Sequence, residues 1–462
     1  MTSTRLVSVL GLGFGDCGKG LFVDYLCRRW RAHTVVRFNG GAQAGHNVVL
    51  PDGRHHTFSQ FGAGSFVAGV ATLLAYPVIV HPTALLVEEA FLRRAGVHDG
   101  LRRMMIDGRC RVTTPFHQAA GRMRELERGA QAHGSCGVGV GETVRHGLEH
   151  PQQILRYADL ETPAAALEKL DAIRRTLLAQ FEPLCAAPAN DAEYAAELLV
   201  LRDASMAWRW LERARELTRI IRPATRAMVA ERLHRAGTVL FEGAQGVLLD
   251  EWRGFRPHTT WSSIHPESVA AVAADAGQHG RIEHLGVLRS YMARHGQGPL
   301  PSHDPALDRL AEPHNASAGW QGNFRRGHPD AVLLRYALAV AGPLDGLLVS
   351  HLDVFDRENT LRWCVAYDAA ETAQDSAICL REDATGLVKT LLASAENDLA
   401  HQALLAGLLA SASPHFETGA AAMSASTFVA DLERLAKVKV LFGAFGATHQ
   451  KVGEYGIRPS PP

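Results

Sequence analysis

The apolar and polar positions near the N-terminus predict a strand, a glycine-rich turn and a helix. Residues 7–10 form an apolar, β-branched run that is typical of a buried strand. Five glycines follow between Gly11 and Gly20, and residues 21–27 then place apolar side chains at helical spacing. A strand that enters a helix through such a turn directs backbone N–H groups at a phosphate. The alternative is a glycine-rich loop that serves only as a tight turn.

Two residues distinguish this turn from a standard nucleotide-binding P-loop. Gly18, Lys19 and Gly20 resemble the end of that loop, but Gly20 takes the place of the hydroxyl residue that binds Mg²⁺. Asp16 lies inside the loop, where phosphate repels a carboxylate unless a metal or a reacting proton requires it. The turn is therefore predicted to bind phosphate beside a chemically active carboxylate.

A second strand, residues 34–38, ends in a second glycine-rich loop at 39–47 that contains His46. Two such loops, each following a strand, predict one site at the carboxyl edge of a largely parallel sheet. A lone loop histidine is often structural or solvated. Beside Asp16, however, His46 would complete an acid–base pair.

Further periodicities predict an α/β domain with added helices. Residues 77–80 and 239–246 are typical of strands, and residues 85–95 of an amphipathic helix. The predicted solvent face of that helix holds Glu88, Glu89, Arg93 and Arg94. Residues 150–235 have helical periodicity and are rich in Ala, Leu, Arg and Glu, which predicts a helical insertion over one side of the sheet.

Composition and charge narrow the class of protein. The 462 residues suffice for one large α/β domain with additions. Lys and Arg total 48, as do Asp and Glu, so no net charge favours a nucleic-acid polymer or a membrane as a partner. No signal peptide precedes the first strand, and no apolar run reaches the ~18 residues of a membrane span. The seven cysteines form no C-x-x-C pair, so neither disulfides nor a zinc site are indicated, and we expect a cytoplasmic protein.

Two motifs resemble a known family. The chain reads G-F-G-D-C-G-K-G and then F-N-G-G-A-Q-A-G-H. These resemble the W-G-D-E-G-K-G-K and Y-Q-G-G-H-N-A-G-H motifs of adenylosuccinate synthetase, the GTP-dependent ligase of AMP synthesis. Further matches follow in the same order along nearly the whole chain, which indicates homology.

The resemblance implies an α/β fold with a mostly parallel central sheet and the P-loop-like N-terminal loop. We expect a single domain over 1–462 with the helical insertion at 150–235. A smaller C-terminal subdomain at 355–462 would complete the guanine site. The homodimer of the family is expected by analogy.

The resemblance also implies how the reaction is activated. Asp16 would take the N1 proton of IMP, so that the purine 6-oxygen attacks the γ-phosphate of GTP. His46 would donate to the transferring group, while Lys19 and the loop N–H groups stabilise its charge. Gln245, in F-E-G-A-Q-G, resembles the glutamine near the 6-oxo group. Asp16 and the Gly45 carbonyl would hold Mg²⁺, and the amine of L-aspartate would then displace phosphate.

The guanine end of the implied GTP site lies late in the chain. Residues 347–356 read L-L-V-S-H-L-D-V-F-D and resemble the family's T-K-L-D-V-L-D strand end, so Asp353 would accept hydrogen bonds from guanine N1 and N2. His351 replaces the family's lysine that packs on the base, and an imidazole can still stack. The implied GTP-binding set is Gly15, Gly18, Lys19, Gly20, His351, Asp353, Gly446 and Thr448.

The implied acceptor site departs from the family. A third glycine-rich loop at 134–142 aligns with G-T-T-G-R-G-I-G-P, but Cys136, a weaker donor, replaces the threonine that holds the 5′-phosphate. Arg145 corresponds either to the arginine supplied across the dimer or to a solvated side chain. The chain also reads R-S-Y-M-A-R-H-G-Q-G-P-L-P, which resembles K-A-Y-T-T-R-V-G-x-G-P-F-P. The implied acceptor set is Gln43, Cys136, Arg145, Gln245 and the retained Thr260.

The implied amine site differs from the family motif more than the acceptor site does. The family has T-T-G-R-x-R-R where this chain reads A-S-A-G-W-Q-G-N-F-R-R, so the paired threonines are gone and Trp320 stands after the loop glycine. An arginine pair can clamp a carboxylate or lie free on the surface. The implied amine-binding set is Ser317, Asn323, Arg325 and Arg326.

This pattern leaves several functions open. Altered positions concentrate where the acceptor phosphate and the amine should bind, namely Cys17, Leu21, Ala42, Gln43, Cys136, Val138 and the 315–326 loop. The chain is either a ligase of the family reaction with tolerated substitutions or a specialised-metabolism paralogue with another acceptor, amine or both. Two further alternatives are a GTP-dependent kinase and a non-catalytic GTP-binding regulator. Intact Asp16 and His46 argue against the regulator.

Overall fold

The computed structural model describes residues 4–182, 192–315, 320–358, 360–372, 374–395, 397–418 and 422–455. Its strands are β1 (Thr4–Gly11), β2 (Thr34–Arg37), β3 (His46–Val49), β4 (His55–Phe58), β5 (Ala71–Leu74), β6 (Ile79–Val80), β7 (Met104–Ile106), β8 (Arg111–Val112), β9 (Gly237–Gly246), β10 (Ile282–Arg289), β11 (Met292–His295), β12 (Phe324–Gly327), β13 (Gly346–Ser350), β14 (Cys364–Asp368), β15 (Cys379–Arg381), β16 (Val388–Leu391), β17 (Ser413–Phe416), β18 (Val440–Ala444) and β19 (Val452–Glu454). Its helices are α1 (Lys19–Arg29), α2 (Pro82–Arg94), α3 (Pro115–Arg128), α4 (Val140–Glu149), α5 (Pro163–Phe181), α6 (Ala192–Arg202), α7 (Ser205–Ile220), α8 (Arg226–His234), α9 (Pro266–Asp275), α10 (Ala331–Ala341), α11 (Asp375–Ile378), α12 (Leu399–Ser411) and α13 (Ala425–Ala436).

A nine-stranded sheet forms the centre, in the order β19-β18-β13-β10-β1-β9-β2-β5-β7. All neighbours pair in parallel except β18 and β19, which are antiparallel. Strand β1 lies in the middle, and its residues Val7, Val9 and Leu10 are fully buried. Such continuous apolar strands are typical of parallel sheets covered on both faces. The predicted α/β class with a mostly parallel sheet is confirmed.

Most of the predicted strands are present. The runs at 7–10, 34–38 and 239–246 coincide with β1, β2 and β9. The run at 77–80 is a strand only at Ile79–Val80, which pairs with β8 outside the central sheet. Its first part is a turn, closed by the Val78 N–H group that donates to the Ala75 carbonyl.

The predicted solvent face of α2 is wrong at one position. Glu88 is buried, and its carboxylate accepts the backbone N–H groups of Ser59, Gln60 and Phe61 at 2.8–3.2 Å. These donors belong to the segment after β4, where no sheet partner satisfies them. Buried backbone donors need acceptors. Helical periodicity does not show that a neighbouring loop requires an acceptor from this helix.

Two additions surround the central sheet. Helices α5 to α8 lie in the 150–235 segment, where residues 183–191 are outside the described range. The apolar faces of α5, α6 and α7 join the core that contains α1, whereas Val229 and Leu233 of α8 pack in a second core. Strands β14 to β17 form a small antiparallel sheet in the order β15-β16-β14-β17. Because β18 and β19 return to the central sheet, the 355–462 segment divides between two sheets.

The cysteines that the structure describes are free thiols. None of the described helices has both the length and the apolar character that crossing a membrane requires.

Candidate active site

The carboxyl ends of six adjacent strands carry most of the predicted site residues. In the order β18-β13-β10-β1-β9-β2, every strand is parallel to its neighbour, so the segments that follow them meet at one edge. Ligands of open α/β sheets bind in the crevice at that edge. The prediction that both glycine-rich loops lie at one edge is confirmed.

Close packing explains why the first loop departs from a P-loop. Gly18 has a φ of 91° and precedes α1, and a Cβ there would lie 2.8 Å from the Ser350 Cβ. At Gly20 a Cβ would lie 2.7 Å from the Asn47 carbonyl oxygen. Gly20 therefore has no room for the serine or threonine that a P-loop carries at this position, and Gly18 is retained as the glycine before the lysine. The loop offers a helix N-terminus and backbone N–H groups instead.

Lys19 adds a positive charge at the start of α1. Its side chain is almost fully buried, and Nζ donates to the Gly15 carbonyl at 2.7 Å. The Ser350 hydroxyl donates to the Cys17 carbonyl at 2.9 Å and so ties the loop to the end of β13. A buried ammonium beside a helix N-terminus favours an anion.

Asp16 is anchored through its main chain. Its carbonyl accepts a hydrogen bond from Nε of Arg289, the last residue of β10. Arg289 pairs in turn with Glu312, and both contact the Tyr291 hydroxyl. The Asp16 carboxylate itself lies 3.4 Å from Nε2 of His295. Sequence reasoning assigned no role to these partners, because no local pattern connects positions almost 300 residues apart.

The Arg289–Glu312 pair is charged at neutral pH. Burial alone would raise the pKa of Glu312, but the guanidinium of Arg289 more than offsets that effect and holds the pKa at about 2. Oε2 of Glu312 also accepts the Asn315 amide at 3.0 Å. The start of the predicted amine loop is thus connected to the backbone of Asp16 through one buried ion pair.

His46 is held by acceptors on both ring nitrogens. Nδ1 lies 2.5 Å from Oε1 of Glu242, and Nε2 lies 3.0 Å from the Ala244 carbonyl. A carboxylate and a carbonyl only accept, so the ring is placed to donate. Burial lowers the pKa of His46, and the charge of Glu242 opposes that shift. Among the described residues, no hydrogen bond or ion pair joins His46 to Asp16.

Glu242 is a functional candidate that sequence reasoning missed. It is fully buried in β9 and also accepts the Ala63 N–H at 3.0 Å. Burial alone would raise its pKa, but His46 and Arg37 lower it below the usual value. The available signal was an acidic residue in the middle of an apolar strand.

Gln245 is fixed at both ends of its amide. Oε1 accepts the Asn39 amide at 2.9 Å, and Nε2 donates to the Ser262 carbonyl at 2.7 Å. Asn39 is a second missed residue, since it also accepts the Ala244 N–H at 2.9 Å. The predicted Thr260 lies in the same turn, where its carbonyl accepts the Ser262 N–H at 2.7 Å.

The other predicted acceptor residues are less closely grouped. Within the described residues, both amide atoms of Gln43 are buried and without a hydrogen-bond partner. Burial raises the pKa of the Cys136 thiol, which keeps it a neutral and weak donor. Arg145 lies on α4 and pairs with Glu149 at 3.2 Å and with Glu142 at 3.7 Å.

The two arginines predicted to bind the amine make separate contacts. Arg325 and Arg326 are consecutive in β12 and therefore point to opposite faces. Arg325 donates to the carbonyls of Gly296 and Gly298, both at 2.7 Å, whereas Arg326 donates to the Asp308 carbonyl at 3.0 Å.

The remaining residues of that predicted set contribute little to the geometry. The Asn323 carbonyl accepts the Gly296 N–H at 2.8 Å, so this residue closes the β11–β12 hairpin. Ser317 lies outside the described residues.

Trp320 joins the predicted amine loop to the predicted acceptor loop. A Cβ at Gly137 would lie 2.8 Å from the Trp320 ring, so the indole packs directly on that glycine. The guanidinium of Arg122 lies 5.4 Å from the centre of the same ring and donates to the Gly137 carbonyl at 2.9 Å. A bulky aromatic group thus occupies the junction of the two loops.

The predicted guanine residues lie on two adjacent strand ends. His351 has a φ of 61°, and its Nδ1 lies 2.8 Å from the Ser350 hydroxyl. Burial and the charge of Arg289 lower the pKa of His351 to about 3, so the ring is neutral. Asp353 accepts Nη2 of Arg357 at 2.7 Å.

On the neighbouring strand end, Gly446 and Thr448 lie in the turn after β18, and Thr448 bridges to Val49 of β3. The two halves of the predicted guanine site are therefore brought side by side.

No metal cage is built from side chains. Within the described ranges, no group of three or more His, Cys, Asp and Glu residues could hold a metal ion. Asp16 is half-buried at the edge of the crevice, and Gly45 is exposed.

Comparisons with known proteins identify the family of this chain. The family model of adenylosuccinate synthetase matches residues 8–397. A curated adenylosuccinate synthetase of Neisseria meningitidis is 31% identical over 397 residues, which cover 85% of this chain and 86% of the relative. One from Mycobacterium leprae is 32% identical over 367 residues, or 79% and 80% of the two chains.

Solved structures share the fold of this chain. Fully ligated adenylosuccinate synthetase from Plasmodium falciparum has a TM-score of 0.73 at 18% identity, covering 97% of this chain and 99% of that one. A cyanophage S-2L succinoaminodeoxyadenylate synthetase bound to dGMP and dATP has a TM-score of 0.57 at 15% identity, covering 98% and 95%. The chain belongs to the adenylosuccinate synthetase family and is a GTP-dependent ligase that forms C–N bonds.

Proposed function

We propose that this protein uses GTP to phosphorylate the 6-oxo group of IMP and lets an amine displace the phosphate. The observation that supports this most is the entry into α1, where the Asp16 carboxylate and the buried Lys19 ammonium lie within four residues. A GTP binder without chemistry needs the lysine and the helix N-terminus but has no use for the carboxylate.

The first step transfers a proton and a phosphoryl group. Asp16 removes the N1 proton of the acceptor, the 6-oxygen attacks the γ-phosphorus, and the bond to GDP breaks. Lys19 and the N–H groups at the start of α1 face the charge that spreads over the transferring oxygens. In the second step the amine attacks C6, inorganic phosphate leaves, and the amine loses a proton.

His46 and Gln245 orient the reacting groups. Glu242 accepts from Nδ1 of His46 and fixes the ring, so that Nε2 can exchange the Ala244 carbonyl for a phosphoryl oxygen. Asn39 and the Ser262 carbonyl hold the Gln245 amide in one orientation near the acceptor. This division into an acting group and a buried orienting group is common in acid–base catalysis.

The same edge of the sheet would bind the guanine of GTP and the Mg²⁺ ion. Asp353 would select guanine through its N1 and N2 donors, and the neutral His351 would pack beside the base. Mg²⁺ prefers oxygen ligands and binds through one or two carboxylates plus substrate phosphates. The single carboxylate of Asp16, in the loop proposed to bind phosphate, fits this preference. Asp16 and the Gly45 carbonyl would hold it, and it would neutralise phosphate charge.

A second candidate concerns the amine. Trp320 fills the junction between the two loops, and Arg325 and Arg326 point to opposite faces of β12. Both observations favour an amine that differs from L-aspartate, as in a paralogue of specialised metabolism. The acceptor is open to the same question, because the fold also occurs in a synthetase bound to dGMP.

Product analysis tests the proposal. Purified protein is incubated with GTP, Mg²⁺, IMP and L-aspartate, and phosphate and nucleotide products are separated, with Asp16→Asn as the control. Adenylosuccinate that depends on Asp16 supports the family reaction. Phosphate release that depends on Asp16 and IMP but gives no adenylosuccinate supports another amine. Phosphate release that Asp16→Asn leaves unchanged would refute the proposal.

A further inference from the structure

His295 distinguishes this chain from the family motif at a point that touches the proposed base. The family reads R-V-G where this chain reads Arg294-His295-Gly296. His295 is the last residue of β11, and its Nε2 lies 3.4 Å from Oδ2 of Asp16. A valine at this position would offer Asp16 no polar partner.

The surroundings of His295 leave its ring few orientations. The ring packs on Phe324, its register partner in β12, with 4.6 Å between the ring centres. The side chain is 19% exposed. Nδ1 is buried and has no hydrogen-bond partner among the described residues, so Asp16 is the one polar neighbour that the structure gives this ring. A carboxylate oxygen accepts, so a hydrogen bond between these two side chains requires the hydrogen on Nε2.

We propose that His295 is a positioning residue for Asp16, which rests on the proposed role of Asp16 as the base. The Nε2–H group holds Oδ2 and thereby turns Oδ1 toward the N1 proton of the acceptor. The contact shortens to a full hydrogen bond when the acceptor closes the site, as catalytic hydrogen bonds of ligand-free enzymes commonly do.

The placement of His295 links this role to the second substrate. Strands β11 and β12 form a hairpin, and the candidate amine loop at 315–326 covers the end of its connection and the start of β12. Arg289 holds the main chain of Asp16 from β10, and His295 holds its carboxylate from β11. The main chain and the carboxylate of Asp16 are therefore both held, and the carboxylate is held by the hairpin that carries the amine loop.

Two substitutions of His295 distinguish a role in positioning Asp16 from a role in packing alone. His295→Val restores the residue of the family motif, so the variant should fold. His295→Gln keeps an N–H donor at a similar reach. We expect His295→Val to lower kcat about tenfold, as for the loss of one hydrogen bond to a charged group, with the KM for GTP unchanged. His295→Gln should recover most of kcat. Wild-type kcat in His295→Val, or no recovery in His295→Gln, would overturn the proposal.

A spectroscopic measurement tests the same contact without turnover. In protein labelled with ¹⁵N-histidine, the resonance that disappears in His295→Val identifies the ring. We expect a spectrum with hydrogen on Nε2 and a clear ¹⁵N shift in Asp16→Asn. A resonance that Asp16→Asn leaves in place would overturn the contact. Absent Asp16-dependent turnover in the wild type would instead refute the proposed function, and the spectrum would still decide on the contact.

Discussion

Replacing Glu312 by glutamine should destabilise the fold markedly. The carboxylate of Glu312 and the guanidinium of Arg289 are 7% and 6% exposed and form one ion pair. The fall of the Glu312 pKa from 4.5 to about 2 corresponds to about 3 kcal/mol, because a tenfold change in an equilibrium constant is worth about 1.4 kcal/mol. Breaking buried ion pairs by removing one partner costs about 3–5 kcal/mol in other proteins. We therefore expect Glu312→Gln to lose about 3 kcal/mol of unfolding free energy at pH 7.

The lowered pKa of Glu312 also sets the direction in which stability changes with pH. Because folding lowers the pKa of Glu312, its stabilisation is complete above pH 4.5 and is lost as the pH falls towards 2. The difference in unfolding free energy between wild type and Glu312→Gln should therefore decrease below pH 4.5.

Urea unfolding followed by tryptophan fluorescence measures both effects. Glu283→Gln is the matched control, because Glu283 pairs with Arg5 at the surface, where the side chains are 31% and 38% exposed. This control should change stability by less than about 1 kcal/mol. A Glu312→Gln variant as stable as that control, or a difference that does not depend on pH, would refute the reasoning.

Three further changes test other parts of the site. Asp353→Asn should weaken GTP binding about tenfold in calorimetry, the effect of one charge-assisted hydrogen bond, whereas Asp356→Asn, its exposed neighbour in the same turn, should not. Glu242→Gln should lower phosphate release about tenfold, because a neutral amide replaces the charged acceptor that holds the His46 ring, and unchanged kcat would contradict that role. Gly20→Ala should reduce GTP affinity in the same titration, because the added Cβ would lie 2.7 Å from a carbonyl oxygen.

The sequence predicts the framework of this fold well. Strands β1, β2 and β9 are apolar runs bounded by glycine-rich turns, and parallel strands must deliver such turns to one edge. The main elements and the edge that holds the site therefore follow from local pattern alone.

The contacts within the site could not be predicted in the same way. Arg289 binds the Asp16 carbonyl and pairs with Glu312 although these residues lie far apart in the chain. The carboxylate of Glu88 likewise accepts hydrogen bonds from a loop that helical periodicity does not reveal. Consecutive arginines at 325 and 326 look like a clamp in a sequence, but a strand sends them to opposite faces. Each case depends on tertiary placement, which no spacing rule contains.

Positional isotope exchange tests the central claim most directly. GTP labelled with ¹⁸O at the β–γ bridge is incubated with the protein, Mg²⁺ and IMP, without any amine. Reversible transfer to the acceptor lets the β-phosphate of bound GDP rotate, which moves the label out of the bridge. The account predicts exchange that requires IMP and disappears in Asp16→Asn. No exchange in the wild type, or equal exchange in Asp16→Asn, would contradict it.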